Sequence, residues 1–175
     1  MNRGPLLTRR RLLDALGRVG DHLRTAGGVA DLHIVGGAVM VTEYGARDAT
    51  AALDAFDYQP HSAVERAAAL VAQEMDLPRS WLNQQANSYV PAGADWRRSL
   101  TFDHPNLHLY AIAPQHLLAM KVQAGRPTDA EDIATLCRVL GITTPAEVER
   151  ITRDAYPDEE PSARGMDLAG DILDT

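Results

Sequence analysis

Apolar positions along the chain repeat with two periods, and each switch of period marks an element. Leu12, Leu13, Leu16, Val19 and Leu23 recur at helical spacing; Thr8 stands where it can cap the start, and Gly27 with Gly28 ends the segment. "DLHIV" then predicts a short buried strand halted by Gly36 and Gly37, and "AVMVTEYG" begins a short helix. "TAALDAF" reads as a second strand, and "SAVERAAALVAQEM" as a helix ending before "DLP".

Further along, "SWLNQQANSYV" predicts another short helix that holds Asn83. "RRSLTF" and "NLHLYAI" alternate around the turn-like "DHPN" and predict a hairpin. Three helices close the chain: Gln115 to Gly125, Asp129 to Leu140 capped by Thr128, and Ala146 to Ala155 capped by Thr144. This order predicts an α/β chain of the α+β kind, a small mixed sheet with flanking helices and a helical C-terminal part. The expected organisation is a core over 1–113, a helical part of the same domain over 114–157, and an acidic tail over 158–175. No internal repeat interrupts it.

Composition narrows the picture in three ways. Aromatics make up 5% of 175 residues against an apolar 45%, so the core should be built from Leu, Val, Ala and Ile. Cys137 is alone, which excludes an intrachain disulfide and suits a small buried hydrophobe in a reducing compartment. No run approaches the roughly 18 apolar residues of a membrane span. The twin-arginine look near Arg9 and Arg10 is spoiled by Asp14, Arg18 and Asp21, so the expectation is a cytoplasmic protein with no membrane partner.

The net charge of -7 is unevenly spread. Arg3, Arg9, Arg10, Arg11, Arg18 and Arg24 outweigh Asp14 and Asp21 at the start, whereas acids dominate from Asp154 onward. That balance argues against a general nucleic-acid binder and leaves room for one RNA held on a basic patch. Of the seventeen Lys plus Arg residues, sixteen are arginine, and the single lysine is Lys121. Helical spacing puts it on a stripe with Leu117 and Leu118, where a point charge needs a partner or a ligand.

Strand, double glycine, helix and a second strand bearing an acid is a layout that suits a nucleoside triphosphate. Glycines admit phosphates close to the backbone, and a helix start offers N–H groups. Carboxylates two residues apart on a strand share a face and can share magnesium ions. "IVGGAVMVTEYGARDATAALDAF" resembles the nucleotidyltransferase superfamily, whose pattern is GG, an arginine, a threonine and Asp-x-Asp. "LLAMKVQAGRPTDAEDI" resembles the lysine-arginine-aspartate helix pair of its AbiEii-type branch, the toxins of type IV toxin–antitoxin systems, and "LPRSWLNQQANSYVP" is similar to the connecting segment of small bacterial members.

The resemblance spans 31–140 and implies a nucleotidyltransferase fold. It implies magnesium-dependent transfer of a nucleoside monophosphate from a triphosphate to an acceptor, most often the 3′ end of tRNA, with a cognate antitoxin as partner. Asp54, Lys121 and Asp132 would be the catalytic residues, Asp54 also ligating Mg2+. Gly36, Gly37, Arg47, Lys121, Arg126 and Asp129 would hold the nucleotide, with Asp129 or Asp132 positioning Lys121 or Arg126.

Two departures stand out. Ala52 occupies the place of the first carboxylate of Asp-x-Asp, and Ala38 follows the glycines where Ser or Thr is common. Asp57 lies at an odd offset from Asp54, so simple alternation sends it to the other face; Glu43 and Asp48 remain as carboxylates that a loop could bring in. Three readings of Ala52 stay open: an engineered inactive form, a natural pseudoenzyme, or an enzyme relying on one principal carboxylate. An aminoglycoside-type acceptor is the alternative to RNA. His104 and His108 read as surface or turn histidines, and Trp81 and Trp96 as packing residues.

Overall fold

The computed structural model describes Pro5–Thr175, so Arg3 of the basic N-terminal group lies outside the described residues. Contacts divide the chain into two compact units, one of residues up to Ser88 with Trp96–Ala111, the other of Tyr89–Asp95 with Ile112–Thr175.

In the first unit, β1 (Leu7–Thr8) leads into α1 (Arg9–Thr25), whose first turn is held by the Thr8 hydroxyl accepting from the Arg11 N–H at 3.3 Å. β2 (Ala30–Val35) and the short α2 (Gly37–Thr42) follow, then the two-residue β3 (Ala49–Thr50), β4 (Leu53–Gln59) and α3 (His61–Glu74). β5 (Leu82–Asn83), β6 (Trp96–Arg98) and β7 (Leu107–Ile112) complete the strands. β1 pairs antiparallel with β3, and the other five form a sheet ordered β5-β4-β2-β7-β6. The sheet is mixed, as the pattern predicts: β2 runs antiparallel to β4 and parallel to β7, and β4 is parallel to β5.

Alternation along β2 decides which side is core. Leu32 and Ile34 are fully buried, as are their neighbours Leu53, Ala55, Leu107 and Leu109. α3 packs on β4 and α1 on α3, so that side is closed by Leu12, Leu16, Val64 and Val71. Trp81 is fully buried beneath α3 and donates its indole N–H to the Ala68 carbonyl at 3.0 Å.

The pairing of β2 with β4 slips by one residue between His33 and Ile34: His33 faces Asp57, whereas Ile34 faces Ala55. Phe56 is the extra residue of a β-bulge. This corrects the alternation argument for Asp57. His33 and Val35 share a face of the unbulged β2, and they pair with Asp57 and Asp54. The two aspartates therefore share a face despite their odd offset.

Several boundaries differ from the sequence pattern. The "SWLNQQANSYV" segment is not a helix but a 3-10 turn at Arg79–Trp81, β5, and a second turn at Asn87–Tyr89. Asn83 holds that path, donating to the Ser80 carbonyl and accepting from the Gln85 N–H, a local competition that keeps such residues out of helices. "TAALDAF" is a strand only from Leu53, because Thr50 donates its hydroxyl to the Ala52 carbonyl and bends the chain first. His104 is buried instead of lying at the surface. Its Nδ1 accepts from the Asn106 N–H at 3.0 Å, which makes Nε2 the donor to Asp21.

The second unit centres on α4 (Pro114–Ala124), with α5 (Ala130–Leu140), α6 (Pro145–Ala155) and α7 (Ala163–Leu173) packed on it. α6 starts with a capping box, Thr144 accepting from the Glu147 N–H and Glu147 answering the Thr144 N–H. Thr128 does not cap α5; a 3-10 turn at Pro127–Asp129 intervenes. The acidic 158–175 segment is largely helix. Asp167, Asp171 and Asp174 lie on its outer side, while Gly165 and Ala169 are buried. Gly165 permits this, because a Cβ there would stand 1.8 Å from the Val122 carbonyl oxygen of α4.

Candidate functional site

Two groups of expected residues assemble, each inside its own unit. In the first, β2 delivers the chain to Gly36, whose φ of 68° and ψ of -146° only glycine adopts without strain. A Cβ on Gly36 would lie 3.2 Å from an Asp54 carboxylate oxygen; one on Gly37 would lie 3.0 Å from the Thr50 hydroxyl and 3.6 Å from a terminal guanidinium nitrogen of Arg47. Gly36, Gly37, Arg47 and Asp54 are thus brought together, with Thr50, the threonine of the resembled pattern, as a fifth member. α2 has six residues, so the field at its start is weak, and the close approach rests on the two glycines.

Ala52 stands in the bend before β4 and carries no polar side chain into this group. Glu43 does not supply the missing carboxylate: it accepts from the Ser99 hydroxyl at 2.6 Å, the Thr101 hydroxyl at 3.1 Å and the Leu100 N–H at 3.3 Å, clamping the loop after β6. Asp48 is exposed. Among the described residues no group of three or more His, Cys, Asp or Glu side chains gathers where a metal ion could be held.

Beyond Asp54, the same face of the sheet carries an aromatic cluster. His33 stacks on Tyr110 with ring centres 4.9 Å apart and meets the edge of Trp96 at 4.9 Å; Trp96 stacks on Phe56 at 5.3 Å. Burial among these rings pushes the His33 imidazole below its usual pKa, against the pull of Asp57 and Asp31, so the ring is neutral at pH 7. His108 meets Asp31 at 2.8 Å on this face. Nothing in the sequence announced the cluster, since its four rings come from four strands.

In the second unit, Lys121 of α4 is buried, and its ammonium lies 2.8 Å from Asp129 and 2.9 Å from Asp132, both also buried. Both aspartates hold Lys121. The point charge among leucines is answered inside the protein, by two carboxylates on the turn and helix that follow α4. Arg126 is exposed at the start of that turn. Cys137 is the small buried hydrophobe expected, its thiol pushed up to about 11 by burial.

At the basic N-terminal end, Arg11 donates to the Met75 carbonyl at 2.8 Å, and Arg18 bridges Asp14 and Glu74 at 3.3 and 3.6 Å. Arg9 and Arg10 are exposed. No helix among the described residues is long and apolar enough to cross a membrane. No family model, curated protein or solved structure matches this chain.

Proposed function

We propose that this chain is a nucleotidyltransferase-like protein that moves a nucleoside monophosphate from a triphosphate to an acceptor hydroxyl, pyrophosphate leaving. The acceptor is RNA, the 3′ end of tRNA by the resemblance, and the setting is that of a toxin with a cognate antitoxin. The observation that carries this reading is the close approach of Gly36 and Gly37 to Asp54, Thr50 and Arg47 at the end of β2. Bare backbone beside one carboxylate, one hydroxyl and one guanidinium suits phosphates, and a side chain on either glycine would fill the space.

In this reading the Gly36–Gly37 backbone seats the phosphates, Arg47 offsets their charge, and Thr50 offers a neutral donor. Asp54 would hold magnesium, which needs only one or two carboxylates when phosphate oxygens and water complete its six positions, and which would neutralise developing charge. With Ala52 in place of a second carboxylate, the residues fit one ion arriving with the triphosphate better than a preformed pair. Lys121 takes the part of a brace for the second unit. Catalysis would rest on positioning and charge, as is general for transfer at phosphorus.

A second reading, a pseudoenzyme that binds nucleotide without turnover, is supported by Ala52. Label transfer from each of the four triphosphates to total tRNA and to an aminoglycoside, with magnesium, separates the two. This chain, Ala52→Asp and Asp54→Asn are compared. Labelled tRNA that disappears with Asp54→Asn supports the transferase. Triphosphate binding with no transfer by either this chain or Ala52→Asp supports the pseudoenzyme, and no binding at all sinks both.

A further inference from the structure

The face of the sheet that bears Asp54 is paved with rings where a solvent-facing sheet usually carries polar side chains. Along β2, His33 is two residues from Val35, the partner of Asp54, which places the ring cluster about 7 Å from that carboxylate's strand position. Phe56, His33, Trp96 and Tyr110 are each only partly buried, in contrast to the fully buried Trp81. The bulge at Phe56 turns Asp57 onto the face beside that ring, a re-aiming typical of bulges near functional sites.

We propose that this ring cluster seats the nucleobase of the triphosphate whose phosphates lie at Gly36–Gly37. The proposal rests on the transferase or nucleotide-binding reading above. Two near-parallel ring pairs, His33 with Tyr110 and Phe56 with Trp96, present flat π surfaces that suit another flat ring. The charges around them select the occupant further. Asp31, Asp54 and Asp57 share the face, and Arg98, on the Trp96 side of β6, is drawn to Asp103 at 3.7 Å. Carboxylates beside the rings themselves suit a neutral base there better than a phosphate. Its carboxylates accept hydrogen bonds from exocyclic amino groups, so adenine, cytosine and guanine, which carry one, are favoured over uracil, which does not.

The test uses the chain's own fluorescence, since Trp96 is partly exposed and Trp81 is sealed in the core. The full chain is titrated with adenosine, cytidine, uridine, inorganic pyrophosphate and a short oligoribonucleotide. The expected result is saturable quenching by adenosine and cytidine that is lost in Trp96→Phe. Tyr110→Ala and, separately, Phe56→Ala should weaken nucleoside binding roughly tenfold or more while pyrophosphate binding stays unchanged. Pyrophosphate binding with no nucleoside quenching at millimolar concentration overturns the base seat and leaves the phosphate reading standing. Nucleoside quenching without pyrophosphate binding keeps the ring cluster as a base site and removes the transferase reading. Binding of the oligoribonucleotide alone, sensitive to Tyr110→Ala, overturns the proposal in favour of an RNA strand.

Discussion

Replacing Lys121 by alanine removes one ammonium from between two carboxylates, all three groups being buried. The side chains of Asp129 and Asp132 are 5% and 1% exposed, so water cannot take over the role of the lysine without opening the helix pair. Losing one partner of a buried ion pair costs about 3–5 kcal/mol, because the remaining charge is uncompensated. Here two carboxylates are left together, which places the expectation at the upper end of that range. For a chain of this size each kcal/mol lowers the melting temperature by about 2–4 °C, so Lys121→Ala should melt roughly 10–20 °C lower. Urea unfolding followed by circular dichroism gives the free energy directly.

A compensated variant, Lys121→Met with Asp129→Asn and Asp132→Asn, should recover at least half of the loss, since exchanging a whole buried ionic group for neutral side chains is often close to neutral. A loss below about 1 kcal/mol would refute the brace, that being the value of an ordinary surface pair. Intact stability with abolished pyrophosphate binding would show instead that the lysine serves the phosphates.

Other substitutions test the packing and the pH response. Gly165→Ala places a methyl 1.8 Å from the Val122 carbonyl, a backbone atom that cannot swing away; it should cost about 3 kcal/mol or more despite alanine's better helix propensity, read by thermal melts. Gly20→Ala would put its methyl 2.4 Å from the His104 ring, displacing that ring from Asp21 and the Asn106 N–H; a loss of about 1–3 kcal/mol in urea is expected, and none would mean the loop yields freely. The Cys137 thiol, raised from 9.0 to about 11, holds its proton more tightly folded than unfolded. Its contribution is full below pH 9 and fades as pH climbs to 11, a slope of stability that Cys137→Ala should lessen. Cys137 should also resist thiol reagents at pH 8 until the chain unfolds, as timed by Ellman's reaction.

Elements with strong local signals were legible in the sequence: α1 from its leucine stripe and the Thr8 cap, β2 from "DLHIV", and α6 from Thr144 and Glu147. Lys121 advertised its partners because a charge on a leucine stripe has few affordable environments, and two aspartates follow within eleven residues. What depended on tertiary pairing was not legible. The 3-10 and strand path after Pro78 is set by Asn83 side-chain bonds and by pairing with β4, whose signals are nonlocal. The aspartates 158–174 looked like a solvated tail because the glycine that lets their helix dock, Gly165, carries no hydrophobic signal of its own. The glycine group near Asp54 was readable through the GG, arginine, threonine and aspartate order, but no role could be set on Thr50 because a hydroxyl before a strand has many ordinary uses.

The extra residue in β4 has a consequence that no single-site scan would uncover. Leu53 and Ala55 point to the core at odd positions, and Tyr58 at an even one, so the strand is written in two phases joined at Phe56. At this chain length it is the bulge that decides which way Asp57 faces, whatever residue occupies position 56. Deleting Phe56 would remove the bulge and bring the strand into one phase, with Ala55 and Asp57 following one another opposite Ile34 and His33, Asp57 still on the face and Tyr58 still in the core. Phe56 is thus a residue the strand can lose without turning either neighbour, whereas losing a paired residue such as Ala55 would take a core side chain with it, so the chemistry of this face is inherited through spacing as well as through residue identity.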